Sequence, residues 1–170
     1  MNPSQKKISK FVVTLIGCYL LVYLLYQYLL LPFTSLDSHI IHSLIQLSHQ
    51  LLLFLQYESF SDPTYAIVGI NGTSGVNVGY ACDGLSLFLL YSVFILVFPG
   101  KFSLKIAYLV MGCVFIHALN VFRITALAII HYSDPELLHF HHTYTFTLLI
   151  YGIIFTIWMS RVKIYTAKQW

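Results

Sequence analysis

A cysteine, an arginine and a pair of histidines carry the chemistry open to this sequence. Cys82 lies in Tyr80-Ala81-Cys82-Asp83-Gly84-Leu85, at a break in composition. Polar and turn-forming residues precede it, and an almost unbroken apolar run follows. A thiol acts as a nucleophile through its thiolate, which forms near neutral pH where nearby positive charge or a helix N-terminus lowers the thiol pKa. The cation on offer is Arg123, set inside an apolar run where a guanidinium is costly unless paired or hydrated. The proton carriers on offer are His141 and His142, since imidazole changes charge in the physiological range. Asn120, three positions before Arg123, can orient the guanidinium or a carbonyl, and Asp83 is a candidate counter-charge. Taken singly, each residue has a bland reading. Cys82 alone is a packed free thiol, and Arg123 alone is a snorkelling arginine paired with Asp83 or Glu136. Function requires that the chain bring them together.

The elements that must do so are membrane elements. Of the 170 residues, 58% are hydrophobic and 9% charged, against roughly 25% charged in soluble domains. This is an integral membrane protein, and 13 Phe with 13 Tyr suit a small bundle with aromatic interfaces. The net charge of +3 is too small to argue for nucleic acid, and no such partner is expected. Cys18 and Cys113 lie in apolar runs, where a free thiol is a small hydrophobe. No disulfide framework, CxxC or Cys/His metal spacing is present.

Along the chain, Phe11 to Leu31 reads as a first membrane helix ending at Pro32. It is as long as a span of about 20 residues, and no small-residue cleavage site precedes Pro32, so it is expected to be retained. Ser35 to Leu55 reads as an amphipathic interfacial helix with Ser35 or Asp37 as N-cap. Ile40, Ile41, Leu44, Leu47, Leu51 and Leu52 recur at helical spacing, opposite His39, His42, Gln46, His49 and Gln50. Tyr65, Ile67 and Gly69, the turn Asn71 to Gly75, and Val76, Val78 and Tyr80 read as a β-hairpin whose second strand runs to Cys82. Further spans are expected at about Asp83 to Phe98, Leu104 to Ile130 and Thr143 to Met159. The fold class is thus all-α integral membrane, with about four spans, an interfacial helix and a short extracytoplasmic hairpin, in one domain over residues 1–170.

Charge fixes the expected topology. Lys6, Lys7 and Lys10, then Lys101 and Lys105, then Arg161, Lys163 and Lys168 fall on one side of four spans, which makes that side cytoplasmic. Both termini are then inside. Arg123 lies about 27 Å along its helix from Lys105, close to the ~30 Å hydrocarbon thickness. Arg123, Cys82 and His141/His142 therefore arrive at one depth, the outer face.

This constellation resembles the exosortase/archaeosortase family of membrane transpeptidases. The resemblance rests on Ala81-Cys82-Asp83-Gly84-Leu85 (the family's motif is usually Cys-Ser-Gly), on Asn120-Val121-Phe122-Arg123-Ile124 (its Asn-x-x-Arg-Ile motif), and on a histidine before the final helix. It covers the chain from about Ser35 to Met159. Asp83 stands where the family usually has serine, so it either holds Arg123 or sets a negative charge beside the nucleophile. The family histidine falls on His141 or His142, with His142 preferred because it starts the last helix.

The resemblance implies a cysteine peptidase/transpeptidase with Cys82 as nucleophile, Arg123 activating the thiolate or stabilising the oxyanion, and the histidine moving protons. Asn120 and Asp83 would support the oxyanion or substrate. The implied substrates are exported proteins with a C-terminal motif, membrane helix and basic tail, and the implied acceptor is an amine on a lipid or envelope component. The implied place is the outer face of the inner (cytoplasmic) membrane, facing the periplasm or cell exterior. No cofactor or metal is expected. The rival readings are a non-enzymatic membrane scaffold or assembly factor, and an outward metal site built from His39, His42, His49, His139, His141 and His142. The spacing of these histidines fits no standard ligand pattern. Haem ligation has only His117 within a span.

Overall fold

The computed structural model describes residues 3–31, 33–79, 82 and 84–167. Pro32, Asp83 and Lys168, assigned above as helix stop, counter-charge and inner-face cation, lie outside the described residues, as do Tyr80 and Ala81. The chain forms helix α1 (Pro3–Leu25), continued by a π turn at Tyr26–Leu30, then α2 (Leu36–Phe54). Strands β1 (Ser59–Asp62), β2 (Ile67–Ile70) and β3 (Val76–Asn77) follow, then α3 (Leu85–Val97) and α4 (Phe102–Ser133). A 3-10 turn at Pro135–Leu137, α5 (Leu138–Phe140), a π turn at His141–Thr145 and α6 (Phe146–Ala167) complete it. Among the described residues three helical stretches are long and apolar enough to cross a membrane: Ile8–Leu30, Phe102–Ser133 and Pro135–Lys163. The chain is a multi-pass, mostly helical membrane protein with a small sheet.

Two differences from the sequence reading concern the length of the second span and the sheet. The second expected span, α3, has 13 residues and ends at Phe98, before Pro99. At 1.5 Å per residue that is about 20 Å, short of the ~30 Å hydrocarbon core. The expected hairpin is the β2–β3 part of a three-stranded antiparallel sheet in the order β1-β2-β3. β1 carries the sequence Ser-Phe-Ser-Asp. One apolar residue in four gives it no alternation to read, and its strand character comes from pairing with β2.

The residues fall into two compact units, 1–39 with 84–116 and 40–83 with 117–170. In the first, α1 packs on α3 through aromatic rings. Phe11 meets Phe94 and Phe98 edge-on, with centroids 6.2 and 6.0 Å away, and Phe94 stacks on Phe98. The Tyr26 hydroxyl donates to the buried carboxylate of Asp37. Tyr91 donates to the Tyr108 carbonyl at 2.8 Å, and Lys105 Nζ to the Leu96 carbonyl at 2.6 Å, near the end of α3. Gly112 leaves the space that the Tyr91 ring fills, since a Cβ there would lie 2.1 Å from the ring.

In the second unit, one hydrophobic core joins α2, the sheet and α4. Ile41, Leu44, Ile45 and Leu52 of α2 meet Val68, Ile70, Val76 and Val78 of the sheet region and Val121, Ile124, Leu127 and Ala128 of α4. Most of the expected apolar stripe on α2 faces inward, but Leu47 is exposed. Its neighbour Ser48 is buried instead, its hydroxyl 3.4 Å from the Val121 carbonyl. The sheet turns tightly because Gly69 and Gly75 lack side chains. A Cβ on Gly69 would lie 2.5 Å from Gly75 Cα, and Gly75 takes φ +75°, a conformation that favours glycine.

Candidate active site

Cys82 belongs to this second core and is 9% exposed. The Cys82 amide donates to the Gly79 carbonyl at 2.8 Å. That bond ties the backbone at the cysteine to the segment that Val76 and Val78 anchor in the core. The Cys82 Sγ lies 2.9 Å from Nε2 of His142. Arg123 points an Nη2 N–H at the same sulfur from 4.0 Å. A thiol, an imidazole and a guanidinium, the last two 60 and 41 positions from the cysteine in sequence, thus share one place.

Arg123 reaches it from α4, whose Val121 and Ile124 are held in the core on either side of it. Its guanidinium is half-buried, and its Nε is buried with no hydrogen-bond partner among the described residues. Donors aimed at a sulfur are placed to serve a developing negative charge. Asn120 is fully buried one turn earlier on α4. The expected ion pair of Asp83 with Arg123 falls outside the described residues.

The two adjacent histidines part company. His142 turns to the thiol, whereas His141 places Nδ1 3.1 Å from the Thr145 hydroxyl and its ring against Phe140 and Phe146. Both lie in the π turn His141–Thr145, where i→i+5 bonding widens the helix by one residue. Thr147 Oγ1 also donates to the His142 carbonyl, at 3.5 Å, as α6 begins. The π turn and Thr145 were missed in the sequence. The only local sign is that doubled histidines cannot both face one point on a regular helix, where successive side chains diverge by about 100°.

Four of the other histidines are engaged elsewhere. His39 bonds the Ser35 carbonyl, His42 lies 3.3 Å from Gln46, His49 lies 2.9 Å from Ser59, and His117 lies 3.1 Å from Ser43. Among the described residues no group of three or more His, Cys, Asp or Glu side chains is placed to hold a metal ion.

Comparison with known proteins bears on the whole chain. No curated protein and no solved structure matches it. The family model described as "Transmembrane exosortase (Exosortase_EpsH)" matches residues 11–159, from within α1 to within α6, a range that includes Cys82, Arg123, His141 and His142. The chain belongs to the transmembrane exosortase family.

Proposed function

We propose that this protein is a membrane-embedded cysteine transpeptidase in which Cys82, Arg123 and His142 do the chemistry. Family membership carries the general activity, transpeptidation at sorting signals of membrane-inserted substrates. The observation that carries the assignment to these residues is the Cys82 Sγ at 2.9 Å from His142 Nε2 with Arg123 at 4.0 Å.

The steps follow from that geometry. His142 takes the thiol proton, and the nearby guanidinium stabilises the resulting thiolate. The sulfur attacks the scissile carbonyl carbon, and the carbonyl oxygen becomes an oxyanion that the Arg123 N–H groups can receive. Collapse breaks the C–N bond, and imidazolium hands its proton to the leaving amine. The exported part is now held as a thioester on Cys82. An acceptor amine attacks it and gives up a proton to His142, and the sulfur departs as thiolate. Asn120 supports the guanidinium from within α4. His141, tied to Thr145, is outside the proton path.

The substrate is an exported protein with a C-terminal motif, a membrane helix and a basic tail, and the acceptor is an amine of a lipid or other envelope component. The site faces outward from the inner membrane. Arg123 supports that placement through its distance of about 27 Å along α4 from Lys105, close to the length of a full span.

The test is a strain carrying Cys82→Ala. It accumulates an exported protein with an uncut C-terminus, and in the wild type a hydroxylamine-labile acyl group maps to Cys82. Normal processing in both Cys82→Ala and Arg123→Ala strains would falsify the assignment and leave a non-enzymatic assembly role.

A further inference from the structure

The sheet ends near the candidate nucleophile in sequence, and its pairing pattern leaves one edge unpaired among the described residues. Ile67 pairs with Asn77 and Val68 with Val76, and the Val78 amide donates to the Ala66 carbonyl at 2.7 Å. In an antiparallel ladder, hydrogen-bonded and non-hydrogen-bonded pairs alternate. Residues 76 and 78 therefore spend their main-chain groups on β2, and Asn77 turns its N–H and C=O the other way. Asn77 is exposed, while Val76 and Val78 are buried. The opposite edge, β1, is flanked by α2 through Ser59 and His49. The Gly79 carbonyl is already used by the Cys82 amide.

Asn77 is also within reach of the thiol. A turn closed by an i to i+3 hydrogen bond keeps Cα of Gly79 and Cys82 within about 7 Å, and two strand residues add about 7 Å. The Cα atoms of Asn77 and Cys82 are thus at most about 14 Å apart, roughly four residues of an extended chain. A segment laid along β3 is held by main-chain bonds, a mode that fixes register without demanding particular side chains.

We infer that the outer edge of β3, at Asn77, binds the extended segment of the substrate that flanks the scissile bond, adding it as a fourth strand that delivers the carbonyl to Cys82. The inference rests on the peptidase reading above, which makes the occupant a polypeptide.

Asn77→Pro tests it, because proline removes the outward N–H and is tolerated on an edge strand where that N–H faces solvent. Asn77→Ala is the control, since it keeps the N–H and loses only the side-chain bond to the Tyr65 carbonyl. The full-length enzyme in detergent is assayed with the exported protein that accumulates in the Cys82→Ala strain. We expect Asn77→Pro to lose about three- to tenfold in kcat/KM relative to Asn77→Ala, mostly in KM, with an unchanged rate of Cys82 alkylation. A second arm uses only wild-type enzyme. Peptides spanning the mapped cleavage site carry one N-methylated amide at each position in turn, and strand pairing predicts losses at alternate positions. Equal kinetics for the proline and alanine variants with a flat N-methyl profile overturn the edge inference alone. Cleavage that persists in Cys82→Ala overturns the peptidase reading beneath it.

Discussion

The two compact units treat their polar groups in opposite ways. In the unit of residues 1–39 and 84–116, the described polar contacts close on themselves: Tyr26 on Asp37, Tyr91 on the Tyr108 carbonyl, Lys105 on the Leu96 carbonyl. Each satisfies a group that would otherwise be costly in an apolar setting. In the unit of residues 40–83 and 117–170, a cation, a thiol and an imidazole meet, and a guanidinium nitrogen has no partner among the described residues. An arrangement built only for stability would saturate that cation with a carboxylate or carbonyls. The described polar contacts of the first unit read as architecture, and the cluster at Cys82 in the second is where chemistry is proposed.

The sharpest way to break this contrast lies within the second unit. His142→Gln should lower turnover by about 10²- to 10⁴-fold, the range for removing a positioned acid–base group. His141→Gln should stay within about threefold, because its ring serves Thr145 and not the thiol. Single-turnover measurement of substrate cleavage checks both, and equal losses would show that the pair works as a unit. Next in size, Arg123→Gln should cost about 10²- to 10³-fold in kcat, the effect of losing an oxyanion donor. Arg123→Lys should recover only part, since a point charge lacks the planar fork of donors. Full recovery by lysine would reduce the role of Arg123 to charge alone.

The smallest effect belongs to the first unit. Gly112→Ala forces the Tyr91 ring to move and should cost about 1–3 kcal/mol, as overpacking does. A lower thermal midpoint in detergent would register it, while turnover per folded molecule stays within about twofold. A turnover loss of tenfold would erase the division between architecture and chemistry.

Much of the fold was legible because a bilayer imposes long apolar helices, and sequence carries that pattern openly. The third expected span lies within α4, the first runs through α1 and the π turn that continues it and ends at Leu31 just beyond, and the fourth lies in a π turn and helix. What sequence hid was local. Ser48 is buried and Leu47 exposed because the sheet and α4 press on α2 along a line slightly rotated from its apolar stripe. β1 is polar and owes its form to its neighbour. At the candidate site, residue types announced Cys82, Arg123 and a histidine. Sequence alone preferred His142 but could not determine the direction of either ring, because a π turn resets helix phase without a distinctive composition.

That π turn has a consequence for how such a protein can change over time. A residue added to one helical turn shifts the phase of everything after it by about 100°. His142 lies inside the turn and α6 follows it directly, so the turn sets a fixed angle between the heading of the imidazole and the faces of α6. Gaining or losing one residue there would rotate either the ring or the whole of α6, whereas substitutions along α6 leave that angle as it is.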